Sequence, residues 1–487
     1  MKRLLPFVLL SGCMVGPKYH KPEMAMPDQF LESPAENAIA LDDHDLIDWW
    51  KQLNDPFLDQ LIEETCYSNF DLRITLEQVL QARAEYQAET AKLFPDIKLD
   101  AAAVRTRQSL NIFNSPAATA AAAGGDFSPV QNFFQVGFDA IWELDFFGKL
   151  RHSKRAAHYT WQSTEATARD IFITVVSEVA NNYIAICKNQ QLVRLAEENI
   201  AIDEEQLTLA LSRYDAGLAD ESAVLDARAS LDADEAALYE LESTLKQAIY
   251  RLAVLLGKEP ESVVAKFEKE RPIPVAMGKV PPGLPSELLR RRPDIRSAER
   301  QIAAATEQIG VAVADLFPRV YLTATNLFAA NPSGSNYGYG SSKLHKLFKP
   351  KSLTWSIGPG FSLPFLDFGR RSSVVRAQKA IQRQTIIAYE KTVITALEEV
   401  ESALVGYAKQ EERLASLLDQ TEAVKRAYEL ALARYEAGLT DYQQFLLSWK
   451  TLIGSEKALA ENEQALTSQF IAIYKALGGD WECSNLP

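Results

Sequence analysis

The chain has 487 residues, 47% of them hydrophobic and 24% charged, enough for a large core and unlike a disordered or low-complexity protein. A formal net charge of −14 argues against nucleic-acid binding. The four cysteines, Cys13, Cys66, Cys187 and Cys483, are widely spaced without a CxxC or Cys/His cluster, which argues against a disulfide scaffold and a zinc site.

The first element is the segment MKRLLPFVLLSGC, with basic Lys2 and Arg3, a short apolar run from Leu4 to Leu10, and small residues before Cys13. That is the layout of a secretory signal. Its Leu-Ser-Gly-Cys ending resembles a bacterial lipobox, which makes Cys13 the candidate lipidation site. No other apolar run approaches the roughly 18 residues of a spanning helix, so insertion into a bilayer would use β-strands or a lipid anchor.

The next elements are a helix stopped by Leu93-Phe-Pro95, a strand through Ile97, Leu99 and Ala101, and a small, flexible connection, TAAAAGGDFSP. A second strand follows, with Phe134, Val136, Phe138, Ala140 and Trp142 on one face and Gln135, Gly137 and Asp139 on the other. After Phe147-Gly148 comes a very long helix. No proline occurs between Pro129 and Pro260 and no glycine between Gly148 and Gly217, and both residues weaken helix interiors. Phe172, Val179, Ile186, Val193, Ile200 and Leu207 recur at steps of seven, the spacing of a coiled-coil seam. At LALSRYDAGLAD, Gly217 suits the left-handed residue that closes a helix and Asp220 suits the N-cap of a returning helix.

The second half repeats this order. LALARYEAGLTD, 221 positions later, matches nine of those twelve residues, with Gly438 and Asp441 in the same roles. Phe368-Gly369, Glu399-Val400 and Leu477-Gly478 keep the same offset, and a second LFP stands at Leu316 to Pro318. The long helix again has a sevenfold seam, Val393, Val400, Tyr407, Leu414 and Tyr428, broken only by Thr421. A weaker third strand is expected over Val320 to Phe328, an exposed loop at NPSGSNYGYGSSK, and a fourth strand around Trp355. Two copies of one architectural unit follow. Four strands are too few to close a barrel, and open edges in hydrocarbon leave backbone groups unpaired, so a membrane protein of this pattern must share a barrel among protomers.

These residues resemble the TolC-like outer-membrane efflux family, in its lipoprotein branch. The resemblance rests on the lipobox followed by VGPKYHKP, on DWW and DPFLDQLI from Asp48 to Ile62, and on RRPDIRSAE from Arg291 to Glu299. ADLFP at Ala314 to Pro318, LDFGRR at Leu366 to Arg371, and the two RYxAGLxD tips complete it, so that it spans essentially the whole chain. It implies a mixed α and membrane-β fold: a homotrimer with a twelve-strand outer-membrane barrel, four strands per chain, continued by a periplasmic α-helical barrel. The corresponding divisions are a signal peptide (1–12), a lipidated equatorial segment (13–70) and a first repeat (71–257). An equatorial linker (258–285), a second repeat (286–478) and a tail (479–487) follow. In the repeats the strand pairs fall at about 97–142 and 320–365, and the tips near 213–220 and 434–441.

The implied function is the exit duct of a tripartite pump, with a periplasmic adaptor and a proton-driven inner-membrane pump as partners and no cofactor. The tips form its periplasmic mouth, where Arg213, Tyr214, Arg434 and Tyr435 end the descending helices. The family uses tyrosine and arginine there to hold the mouth shut, Tyr435 matches such a position, and local packing is the alternative for each residue. Relatives carry acidic residues on the helix after the second tip. Here Gln443, Gln444 and Leu447 stand at those positions, while the first repeat retains Asp226, so a polar and apolar constriction is expected, with Asp220, Asp226 and Asp441 as the nearest charges. A type I secretion outlet for polypeptides, or a coiled-coil scaffold lipoprotein without a pore, would share parts of the pattern. No HExxH, GxSxG or phosphate-loop motif suggests an enzyme. His152 and His158 read as interfacial or solvated, and Met24 and Met26 as incidental, rather than as metal ligands.

Overall fold

The computed structural model describes residues 14–31, 48–107, 130–275, 284–323 and 337–479. The signal segment, Cys13, the connection TAAAAGGDFSP and residues 480–487 lie outside them. In chain order the helices are α1 (Pro56–Ser68), α2 (Phe70–Ala91), α3 (Lys149–Asp215), α4 (Glu221–Leu255), α5 (Pro260–Val264), α6 (Pro285–Arg291), α7 (Pro293–Ala314), α8 (Arg370–Glu436) and α9 (Tyr442–Ala476). They include pairs of equal length: 22 residues for α2 and α7, 67 for α3 and α8, and 35 for α4 and α9. At 1.5 Å per residue, each 67-residue helix is about 100 Å long. The chain divides into two compact units.

One unit, comprising residues 1–21, 81–161 and 300–386, holds the β-structure. Strands β1 (Asp96–Arg107) and β2 (Val130–Leu144) pair antiparallel along their whole length, Asp96 opposite Ile141 and Arg107 opposite Val130. The other edge of β2 pairs with both β3 (Arg319–Thr323) and β4 (Tyr337–Ser341). Beyond these, β6 (Gly358–Ser362) pairs with β3, and β5 (Leu353–Trp355) with β4. The six strands therefore form four rows, the third and fourth each interrupted. This departs from the loop expected at NPSGSNYGYGSSK, because Tyr337 to Ser341 is a strand that continues the third row. Alternating Tyr and Gly gave that stretch a turn-like composition, but its backbone fills the edge of β2 left open beyond β3. Residues 324–328 of the expected third strand lie outside the described residues.

Directly opposed residues in an antiparallel sheet share a face. One face carries Ile97, Leu99, Phe138, Ala140, Trp142, Leu322, Tyr337, Trp355 and Phe361. Many of these are exposed, with Ile97 at 65%, Trp355 at 69% and Phe361 at 72%. The opposite face carries Lys98 beside Asp139, Asp100 beside Gly137, and Glu143 beside Tyr321.

His152, expected to be interfacial or solvated, is buried in this unit. Its Nε2 lies 2.9 Å from the Val15 carbonyl, and its Nδ1 meets the buried Glu307 carboxylate. It fits because Gly310 presents no side chain: a methyl group there would strike the imidazole. The ring thus pins the segment that follows Cys13 to α7.

The other unit, residues 22–80, 162–299 and 387–487, is helical. Its core gathers the first part of the α3 seam, with Phe172, Val179 and Ile186 buried, and that of α8, with Val393, Val400, Tyr407 and Leu414 buried. One window of α3 is long and apolar enough to cross a membrane, contrary to the expectation that no such segment exists, but most of it is buried in this protein core. Trp49 stacks on Tyr474 with ring centroids 5.8 Å apart. Buried Arg292 binds Asp294, Glu399 and the Ala476 carbonyl, fastening the start of α7 to the end of α9. Burial alone would disfavour this charge, but the two carboxylates hold the guanidinium firmly in its charged form. Thr421, the polar break in the seam, is matched across the hairpin: its hydroxyl lies 2.6 Å from that of Ser455 on α9.

Candidate functional site at the two helical tips

Both tips lie in the helical unit and close in the same way. At the first, Leu218 N–H donates to the Arg213 carbonyl at 2.8 Å and Gly217 N–H to the Tyr214 carbonyl at 2.8 Å. At the second, Leu439 N–H donates to Arg434 at 2.8 Å and Gly438 N–H to Tyr435 at 2.9 Å. This paired closure satisfies helix-end carbonyls and requires a residue with positive φ. Gly217 and Gly438 both have φ of 69°, and no atom lies within 4 Å of where a Cβ would stand. Glycine is therefore needed for its backbone conformation and not for space.

The tips differ beyond the turn. Asp441 caps α9 through its side chain, accepting from Gln444 N–H at 3.1 Å. Asp220 holds the equivalent backbone position, but its carboxylate accepts no capping hydrogen bond. At the first tip Arg213, Tyr214, Gly217, Asp220 and Asp226 are all exposed. At the second, Arg434, Gly438, Gln443, Gln444 and Leu447 are exposed, but Tyr435 is drawn inward. Its ring packs on Tyr442 and Phe445, with centroids at 5.3 and 5.7 Å, and Tyr428 continues the cluster to Phe445 and Trp449. Within it the Tyr442 hydroxyl and the Trp449 indole N–H are buried without a hydrogen-bond partner among the described residues. Burial, followed by the nearby charge of Glu205, pushes the Tyr442 hydroxyl up to about 12.

Farther from the turn, Lys450 of α9 reaches across to the first hairpin. Its Nζ lies 3.0 Å from Asp203 Oδ1, 3.8 Å from Asp234 Oδ2 and 2.6 Å from Ser230 Oγ. Asn199 donates to Asp234 at 2.6 Å. Asp203 is fully buried, and burial, reinforced by the Asp234 carboxyl beside it, raises its pKa above the ordinary 3.8 even though Lys450 opposes the shift. One lysine thus bridges two carboxylates and ties α9 to both helices of the first hairpin.

Reading the tips from their repeated motif missed this cluster, because its residues are not repeated. At the offset of 221, Asp203 corresponds to Val424, Asp234 to Ser455 and Ala229 to Lys450. Charges that appear in only one copy of a repeat were the available signal.

The outer membrane efflux protein family matches residues 61–258 and 284–479. The toluene efflux pump outer membrane protein TtgI of Pseudomonas putida is 30% identical over 488 residues, covering 99% of this chain and 98% of that protein. Nodulation protein T of Rhizobium leguminosarum bv. viciae is 29% identical over 88% of this chain and 82% of its own. The solved outer-membrane channel OprN superposes with a TM-score of 0.81 at 32% identity, over 96% of this chain and 100% of that one. With its long paired helices, small sheet and these matches along its length, the chain belongs to the outer membrane efflux protein family and is an efflux channel of the outer membrane with a periplasmic extension.

Proposed function

We propose that three chains share one twelve-strand barrel and one helical tunnel, forming the exit duct of a tripartite pump. A periplasmic adaptor and a proton-driven inner-membrane pump deliver small molecules to it. The observation that carries this reading is the sheet. Its four rows end in β1 on one side and β5 and β6 on the other, with no further strand partner among the described residues. One face is apolar and exposed, which suits lipid, and the other is polar, which suits a wet lumen. Open edges are untenable in hydrocarbon unless a neighbouring chain pairs them. The equal helix lengths support two copies of one hairpin unit per chain, and Cys13 is the proposed anchor.

The six tips of such a trimer form the periplasmic mouth. Lys450 with Asp203 and Asp234, and the Tyr435–Tyr442–Phe445 packing, hold the second hairpin against movement. The uncharged Gln443, Gln444 and Leu447 line the constriction, with Asp220, Asp226 and Asp441 nearby and Arg213, Tyr214 and Arg434 at the rim. Efflux of small molecules is the shared theme of relatives named for toluene, solvent and cation export. Cross-linking of the detergent-solubilised protein tests the assembly: a species of three chains is expected, and a monomer throughout the range of cross-linker would rule it out.

A further inference from the structure

The sheet ends differently at its two extremities. Among the described residues, every connection to an α-helix leaves from one end, through residues 92–95, 145–148, 315–318 and 363–369. At the other end, between β4 and β5, stands the segment Lys343-Leu-His-Lys-Leu-Phe-Lys-Pro-Lys351. It carries four lysines and one histidine, and no Asp or Glu occurs anywhere from Leu316 to Leu366, in a chain whose net charge is −14. Lys343, His345, Lys346, Lys349 and Lys351 are all exposed.

The segment lies at the border of the apolar face. Tyr339 shares that face, being opposite Val136, and the Phe348 ring packs edge-on against it with centroids 5.7 Å apart. Leu347 is buried, whereas Leu344 and Phe348 remain 63% and 72% exposed between the lysines. Exposed apolar side chains alternating with cations are unfavourable in bulk water but suited to a membrane interface, where rings and aliphatic stems enter the acyl boundary and ammonium groups stay at headgroup level. Two rows away, alternation along β1 puts Arg105 and Arg107 on the same face, opposite Asn132 and Val130, just beyond the last apolar pair, Ala103 and Phe134. Cations at one level on two separate rows describe a basic rim.

We propose that Lys343, Lys346, Lys349 and Lys351, flanked by Leu344 and Phe348, dock the phosphate groups of anionic lipid in the outer leaflet, with Arg105 and Arg107 extending the same rim. The proposal rests on the barrel reading given above, which makes the end opposite the α-helix connections external. Charge complementarity selects the partner: a phosphate-bearing lipid presents anions at this depth and acyl chains beside Phe348, whereas a zwitterionic lipid gives no net attraction.

The test uses full-length purified protein in mixed micelles with a bisphosphorylated acylated glucosamine lipid, its dephosphorylated form, or a zwitterionic phospholipid, with retained lipid counted by native mass spectrometry. Wild type is expected to retain the phosphorylated lipid at least about tenfold more than the other two, and Lys343→Gln/Lys346→Gln/Lys349→Gln/Lys351→Gln to lose that preference. The matching quadruple Lys→Arg variant should keep it, which separates lost charge from lost fold. Equal retention by the Gln variant, or no preference in wild type, would overturn the proposal. Quenching of sheet tryptophans, Trp355 among them, by brominated acyl chains in a reconstituted bilayer reads the barrel placement separately. Quenching without phosphate preference sinks only the docking proposal, and absence of quenching sinks the barrel placement and the proposal with it.

Discussion

At the level of single residues, the second tip is where chemistry concentrates. Asp203 has its pKa raised in the folded chain, so between the ordinary carboxylate value and that raised value the folded state binds more protons than the unfolded one. Stability near the tip therefore falls as pH rises through that window, and Asp203→Asn should flatten the dependence. Hydrogen exchange over residues 199–236, corrected for intrinsic rates, reads this directly; an unchanged pH slope in the variant would contradict it. Tyr442 gives the opposite kind of expectation. Its buried hydroxyl has no partner among the described residues, so Tyr442→Phe should be neutral or stabilising by up to about 1 kcal/mol in thermal unfolding. A clear loss instead would mean that a neighbouring subunit satisfies the hydroxyl. Glycine at φ 69° predicts that Gly438→Ala destabilises the tip by about 1 kcal/mol, while Gly438→Asn, more tolerant of that conformation, does less harm.

For the elements, the sequence was informative wherever a period or a stop signal is local. The sevenfold seams, the missing prolines, the absence of glycine from α3, and the glycines that close each tip mark α3 and α8 and their ends without reference to anything distant. The second strand was equally clear because Phe134 to Trp142 alternates strongly. Tyr337 to Ser341 was not, since Gly338 and Gly340 give it a loop-like composition and only pairing with Phe134 to Phe138 makes it a strand. His152 was misread for a related reason: a polar residue in the first turn of a helix looks solvated until Val15, Glu307 and Gly310 close around it. The Lys450 cluster depends on which helices lie side by side, and periodicity in one helix does not contain that information. Thr421 marks the boundary of what was legible: visible as a break, but explained only by Ser455. Thr421→Val should therefore cost about 1–2 kcal/mol by leaving the buried Ser455 hydroxyl unpaired, and adding Ser455→Ala should restore much of it. Additive losses in that double-mutant cycle would show that the pair is not coupled.

On the scale of the whole molecule, the proposed duct takes its energy from a partner pump. Its two design problems are met by different devices. In the proposed trimer, neighbouring chains complete the open sheet. In the same proposal the mouth, built from tips that are exposed on their own, is held by the Lys450 contacts between the hairpins of one chain and by the Tyr435 packing within the second hairpin. The central claim is that these contacts close the channel. Single-channel conductance in planar bilayers gives the test, comparing wild type with Lys450→Ala/Tyr435→Ala. A low conductance is expected for wild type and a severalfold rise in the variant, with heat-resistant assembly unchanged. Equally high conductance in both, from correctly assembled protein, would contradict it.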